Sequence, residues 1–109
     1  MDNTAQKVKA YLRDSDLSRV SMLRVADRLN TTVSTLSRRL GQEGTSYQML
    51  VIEERKWRCA EAIAENPRIG LIALAKRCGY ADSQGMGRAF ESWYCKTITE
   101  WRNDLYTKT

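Results

Sequence analysis

Arg38 and Arg88 stand in the same local frame. An apolar residue lies two positions before each and another two positions after, Leu36 and Leu40 around the first, Met86 and Phe90 around the second. On a helix this spacing puts the apolar pair on one side and the guanidinium on the other. An arginine presented so can hold a planar bidentate acceptor, such as the O6 and N7 edge of guanine. Three of the six glycines, Gly79, Gly85 and Gly87, fall in the stretch CGYADSQGMGRAF, residues 78–90. Such a cluster is either a phosphate-cradling loop or a helix whose backbone must come close to something.

Other chemistry lacks its parts. The chain has no histidine, the commonest general base and metal ligand. Cys59, Cys78 and Cys95 are widely spaced and form no Cys-x-x-Cys, so no metal site and no cofactor is expected. The three thiols read as small buried hydrophobes. The chain is not expected to be an enzyme.

A length of 109 residues suits one domain or two very small ones. Lys and Arg total 18 against 13 acidic residues, a net charge of +5, which favours a polyanion, nucleic acid before a membrane surface. No apolar run approaches the ~20 residues of a membrane span. The opening MDNTAQKVKA has no signal core, so a cytoplasmic location is expected.

The elements that must position the arginines are helical, with no sustained alternation of apolar and polar residues. An opening helix ends near Asp14, with Ala5, Val8, Tyr11 and Leu12 on one face. Ser21 caps a short helix with Leu23, Ala26 and Leu29 inward, and Thr32 caps the next, with Leu36 and Leu40 inward. A long helix follows over about 46–65, burying Met49, Ile52, Cys59, Ala62 and Ile63, and stops at ENPR. Then come a short helix with Ile72 and Ala75 inward, a turn at CGYAD, a helix over about 83–94 and a last one over about 99–105.

Two of these stretches repeat. LRVADRLNTTVSTLSRRL begins at Leu23 and IALAKRCGYADSQGMGRAF at Ile72. Each is a short helix carrying an alanine, a polar turn, and a second helix with the arginine frame, the second turn being one residue longer. Alanine at 26 and 75 lets the paired helices approach closely, which describes a helix-turn-helix. The predicted fold is therefore all-α, about seven helices, with 1–45 and 67–109 as two helix-turn-helix subdomains and 46–66 as the linker helix. The second helix of each pair can enter a major groove. No strand precedes the glycines and their spacing is not G-x-G-x-x-G, so the phosphate-loop reading fails. Gly79 is placed at positive φ in the turn. Gly85 and Gly87 each cost the helix roughly 1 kcal/mol, leaving it soft in the free chain.

From about Val20 onward the chain resembles the DNA-binding module of AraC/XylS-type bacterial transcription regulators. The likeness rests on STLSRRL, on GTS opening the linker helix, on Arg55, on CGYADSQGMGRAF and on the closing EWR. Cys95 and Ile98 stand where that family usually has glycine and proline. The resemblance implies a sequence-specific double-stranded DNA-binding regulator with base-reading positions at Ser34, Ser37, Arg38, Gln84, Gly87 and Arg88. Arginine can read guanine and glutamine adenine, whereas Ser34 and Ser37 are small and read ambiguously, and Gly87 reads nothing by side chain. Thr32, Thr35, Arg39, Ser83 and Lys96 are better suited to phosphates, which position without specifying. Arg55, near Glu53 and Glu54, is read as part of an internal salt bridge. Trp57, Trp93 and Trp101 are read as half-buried packing residues.

A linker of some 20 residues makes a rod of about 30 Å, against about 34–36 Å between major-groove visits on one face of the duplex. One monomer per asymmetric site of roughly 20 base pairs is therefore expected, dimerisation being left to a separate domain absent from this sequence. Two rivals remain. One is a helical protein-interaction module meeting an acidic partner such as an RNA polymerase subunit. The other is an RNA binder, for which no aromatic stacking platform is seen.

Overall fold

The computed structural model describes residues 3–107, and the side chains in that range other than those of residues 102 and 104–107. Among the described residues there are seven α-helices and no strand: α1 Thr4–Arg13, α2 Met22–Arg28, α3 Val33–Gln42, α4 Tyr47–Glu65, α5 Leu71–Cys78, α6 Ser83–Tyr94 and α7 Ile98–Thr107. The all-α expectation holds. The chain divides into two compact units, Met1–Trp57 and Arg58–Thr109, the division falling within α4.

Several helices begin where a side chain satisfies an orphaned amide. The Ser21 hydroxyl accepts from the Arg24 amide at 3.2 Å, and the Ser46 hydroxyl from the Met49 amide at 3.1 Å. α4 stops at Glu65, ahead of Pro67. Before α7, Thr97 accepts from the Glu100 amide at 3.1 Å while the Glu100 carboxylate accepts from the Thr97 amide at 3.2 Å. This reciprocal pair is a capping box.

In the first unit α3 packs on α1 and α2, and Val8, Leu12, Val25, Leu36, Leu40 and Leu50 form the core. Arg13 and Glu54 tie α1 to α4. The Arg13 Nε donates to both carboxylate oxygens of Glu54, at 2.8 and 3.1 Å, and Glu54 is buried. The Arg13 guanidinium also lies 3.8 Å from the Trp57 ring centre, so this half-exposed tryptophan packs under a cation. Arg55 donates to the Leu17 carbonyl at 3.4 Å. Burial raises the Tyr47 hydroxyl above its ordinary pKa, with the Arg55 guanidinium pulling the other way.

In the second unit α6 packs on α5 and α7. Cys59, Leu74, Cys78, Met86, Phe90 and Ile98 are among the core residues, and Trp93 and Trp101 pack half-buried against them as expected. Ile98 is buried at the start of α7.

The structure corrects four sequence readings. Leu23, Met49 and Ile72, expected inward, are exposed, at 62%, 52% and 69%. Helical geometry gives the reason. At about 100° per residue, Met22, Val25, Ala26 and Leu29 share an arc of about 100°, and Leu23 lies about 110° from its centre. In α5 the buried arc is Leu74, Ala75 and Cys78, with Leu71 at its exposed edge, so Ile72 is misplaced in the same way. For α4, the helix serves two cores, so no single apolar stripe runs its length. Its first half buries Leu50 and Glu54, and its second half Cys59, Ala62 and Ile63, which leaves Met49 outside.

The fourth correction is Cys95, which is exposed rather than buried. It is the C-cap of α6 with φ +58, and its amide donates to the Glu91 carbonyl at 2.8 Å. A left-handed conformation costs a residue with a Cβ about 1–2 kcal/mol, and glycine almost nothing. Replacing Cys95 with glycine is expected to stabilise the second unit by about 1 kcal/mol, read as a higher urea midpoint at unchanged slope. An unchanged or lower midpoint would show that the cap is not strained.

Candidate nucleic-acid interface

The two helix-turn-helix hairpins share one hydrogen-bond pattern. In the first, Asn30 adopts φ +56 and the Thr31 amide donates back to the Ala26 carbonyl at 2.9 Å. In the second, Gly79 adopts φ +84 and the Tyr80 amide donates back to the Ala75 carbonyl, again at 2.9 Å. Both are left-handed helix endings closed by a six-to-one bond. Gly79 meets the expectation placed on it, while Asn30 does the same work with a side chain that tolerates that region. The second turn's additional residue is Ala81, between Tyr80 and the next cap.

Equivalent caps then start the second helix of each pair. The Thr32 hydroxyl accepts from the Thr35 amide at 3.1 Å, and the Asp82 carboxylate from the Gly85 amide at 2.7 Å. Leu36 and Leu40 anchor α3, and Met86 and Phe90 anchor α6; all four are buried. The opposite faces point to solvent. On α3, Ser34, Ser37 and Arg38 are exposed at spacings of three and four and share one stripe. On α6, Gln84 and Arg88 are exposed at the equivalent positions, with Gly87 between them. Among the described residues neither Arg38 nor Arg88 makes an ion pair or side-chain hydrogen bond. Both remain available to a ligand.

The residues suited to phosphates are less uniform. Arg39 is exposed. Thr32 is exposed too, but its hydroxyl is committed to the helix end, since it also donates to the Thr35 hydroxyl at 3.0 Å. Thr35, Ser83 and Lys96 are half-buried, Ser83 in the first turn of α6 and Lys96 between α6 and α7.

The two glycines of α6 differ. A Cβ on Gly87 would meet nothing within 4 Å, whereas one on Gly85 would lie 3.3 Å from the Asp82 cap oxygen. Gly87→Ala is therefore expected to stabilise the helix by about 0.5–1 kcal/mol. Gly85→Ala should return less, because its cap must give way. Thermal melts of the two variants compare them directly, and equal gains would contradict this contrast.

Paired helices joined by tight turns, each second helix anchored inside and bare outside, define a helix-turn-helix DNA-binding module. A family model described as a helix-turn-helix domain matches residues 25–104. The chain belongs to that family, the AraC type.

Similar proteins are transcription regulators. The chain is 28% identical over 106 residues to the HTH-type transcriptional regulator VqsM of Pseudomonas aeruginosa, covering 97% of this chain and 32% of that protein. It is 31% identical over 78 residues to the HTH-type transcriptional regulator VirS of Mycobacterium tuberculosis, covering 72% of this chain and 23% of that one. It thus spans a third or less of these relatives' length. Among solved structures, the transcriptional regulator CdpR from Pseudomonas aeruginosa superposes with a TM-score of 0.82 at 30% identity, over 94% of this chain and 32% of that one. The fold is also that of a DNA-binding transcriptional dual regulator from Escherichia coli K-12, with a TM-score of 0.85 at 24% identity over 98% and 96% of the two chains.

Proposed function

We propose that this chain is the DNA-reading part of a bacterial transcription regulator, with α3 and α6 each entering a major groove of one duplex. Ser34, Ser37, Arg38, Gln84 and Arg88 read base edges. Arg39, Ser83, Lys96, Thr35 and Thr32 lie against phosphates, the threonine pair through the capped first turn of α3. The observation supporting this most is the repeated hairpin itself, with an unengaged arginine at the same place in each copy. Bidentate contact of Arg38 and Arg88 with guanine supplies most of the selectivity, and Gln84 favours adenine. Two recognition helices in one chain call for two neighbouring groove segments, so one monomer occupies an asymmetric site of about 20 base pairs. The setting is the bacterial cytoplasm, where RNA polymerase is the further partner.

A salt titration of duplex binding tests the reading. Each phosphate neutralised by a lysine or arginine steepens the fall of log K with log salt by about 0.9. Several such contacts should make affinity drop by orders of magnitude between dilute and physiological salt. Affinity indifferent to salt would rule out a phosphate-tracking interface.

A further inference from the structure

Leu23 and Ile72 are the two most exposed large aliphatic side chains described, at 62% and 69%. Single exposed leucines are common on protein surfaces and require no explanation. These two are the same position of the repeated unit. Each is the second residue of the first helix of its pair, and each precedes the close-packing alanine, Ala26 or Ala75, by three residues. Their distances to Arg38 and Arg88 along the chain differ only by the additional turn residue, Ala81. Some neighbouring surface positions differ, Arg24 corresponding to Ala73 and Asp27 to Lys76, while Arg28 and Arg77 are alike. An apolar side chain kept outside at one place in both hairpins therefore sits at a fixed position relative to each recognition helix.

In a helix-turn-helix the first helix crosses the sugar–phosphate backbone while the second enters the groove. The deoxyribose ring offers an aliphatic C–H surface between the phosphates, which a leucine or isoleucine can cover and a charged side chain cannot use as well. We propose that Leu23 and Ile72 are apolar backbone contacts, each closing over a deoxyribose and fixing how far its recognition helix enters the groove. The proposal rests on the DNA-binding reading and adds to it a positioning contact that carries no charge. Such a contact has a distinct signature. It strengthens binding to all sequences alike, as phosphate contacts do, but leaves the salt dependence untouched because no counterion is released.

The test measures duplex affinity of Leu23→Gln, Ile72→Gln and the double variant across a salt series, on a preferred duplex and a scrambled one. Leu23→Met serves as the apolar control, and thermal melts accompany each variant. Each Gln variant is expected to bind both duplexes about three- to tenfold more weakly, with parental melting temperature and salt slope, while Leu23→Met binds like the parent. Parental affinity in the double variant would overturn the proposal. So would a changed salt slope. Parental DNA binding combined with lost transcription from a reporter would assign the two side chains to a protein partner instead, which also overturns it. If the parent chain itself fails to bind duplex, the DNA-binding reading falls together with this one.

Discussion

Replacing Phe90 with alanine is expected to cost the second unit about 3–5 kcal/mol. Phe90 is 1% exposed and forms the centre of an aromatic cluster, its ring centroid 4.7 Å from Tyr94, 5.6 Å from Trp101 in an edge-on arrangement and 6.5 Å from Trp93. Its loss removes both the buried area and the ring pairs that hold α7 on α6. A unit of this size holds only a few kcal/mol of net stability, at about 0.05–0.15 kcal/mol per residue. The variant should therefore lose its tryptophan fluorescence transition, or show it at far lower urea. A midpoint within about 1 kcal/mol of the parent would mean that Phe90 is not the keystone of this core.

Arg38→Ala is expected to weaken binding to the preferred duplex by about 1–3 kcal/mol and to relax selectivity at one base position. The neighbouring Arg39→Ala should weaken preferred and scrambled duplexes alike and flatten the salt slope by about one phosphate contact. The contrast follows from geometry. Arg38 lies on the stripe opposite Leu36 and Leu40, while Arg39 is one residue, about 100°, further round. A panel of duplexes changed one base pair at a time separates the two. Equal losses across the panel for both variants would mean that Arg38 only touches phosphate.

The hairpins were legible because short-range rules govern them. Gly79 could be placed at positive φ from its position between a helix and a capping residue, and the expected bounds of α6 match those observed. The Thr97-x-x-Glu100 box is equally local, a Thr followed three residues later by Glu. What failed was rotation about a helix axis. Leu23, Ile72 and Met49 are apolar and lie near helical spacing, and sequence alone does not say which edge of an apolar arc meets a neighbour. Burial of Glu54 could not be read at all, since its partner Arg13 is 41 residues away and only tertiary packing joins them. Cys95 was misread for a different reason, because composition treats a thiol as a small hydrophobe and the backbone uses this one as a cap. The exposed faces of α3 and α6 were legible through the buried residues opposite them. The arginine frame was thus the most secure part of the candidate site.

The central claim is that two equivalent helices of one chain read two stretches of the same DNA. Selection of bound sites from a pool of random duplexes measures this most directly. Two separated clusters of base preference within about 20 base pairs, without two-fold symmetry, are the expected outcome. Enrichment of a perfect palindrome, or of no sequence whatever, would contradict it.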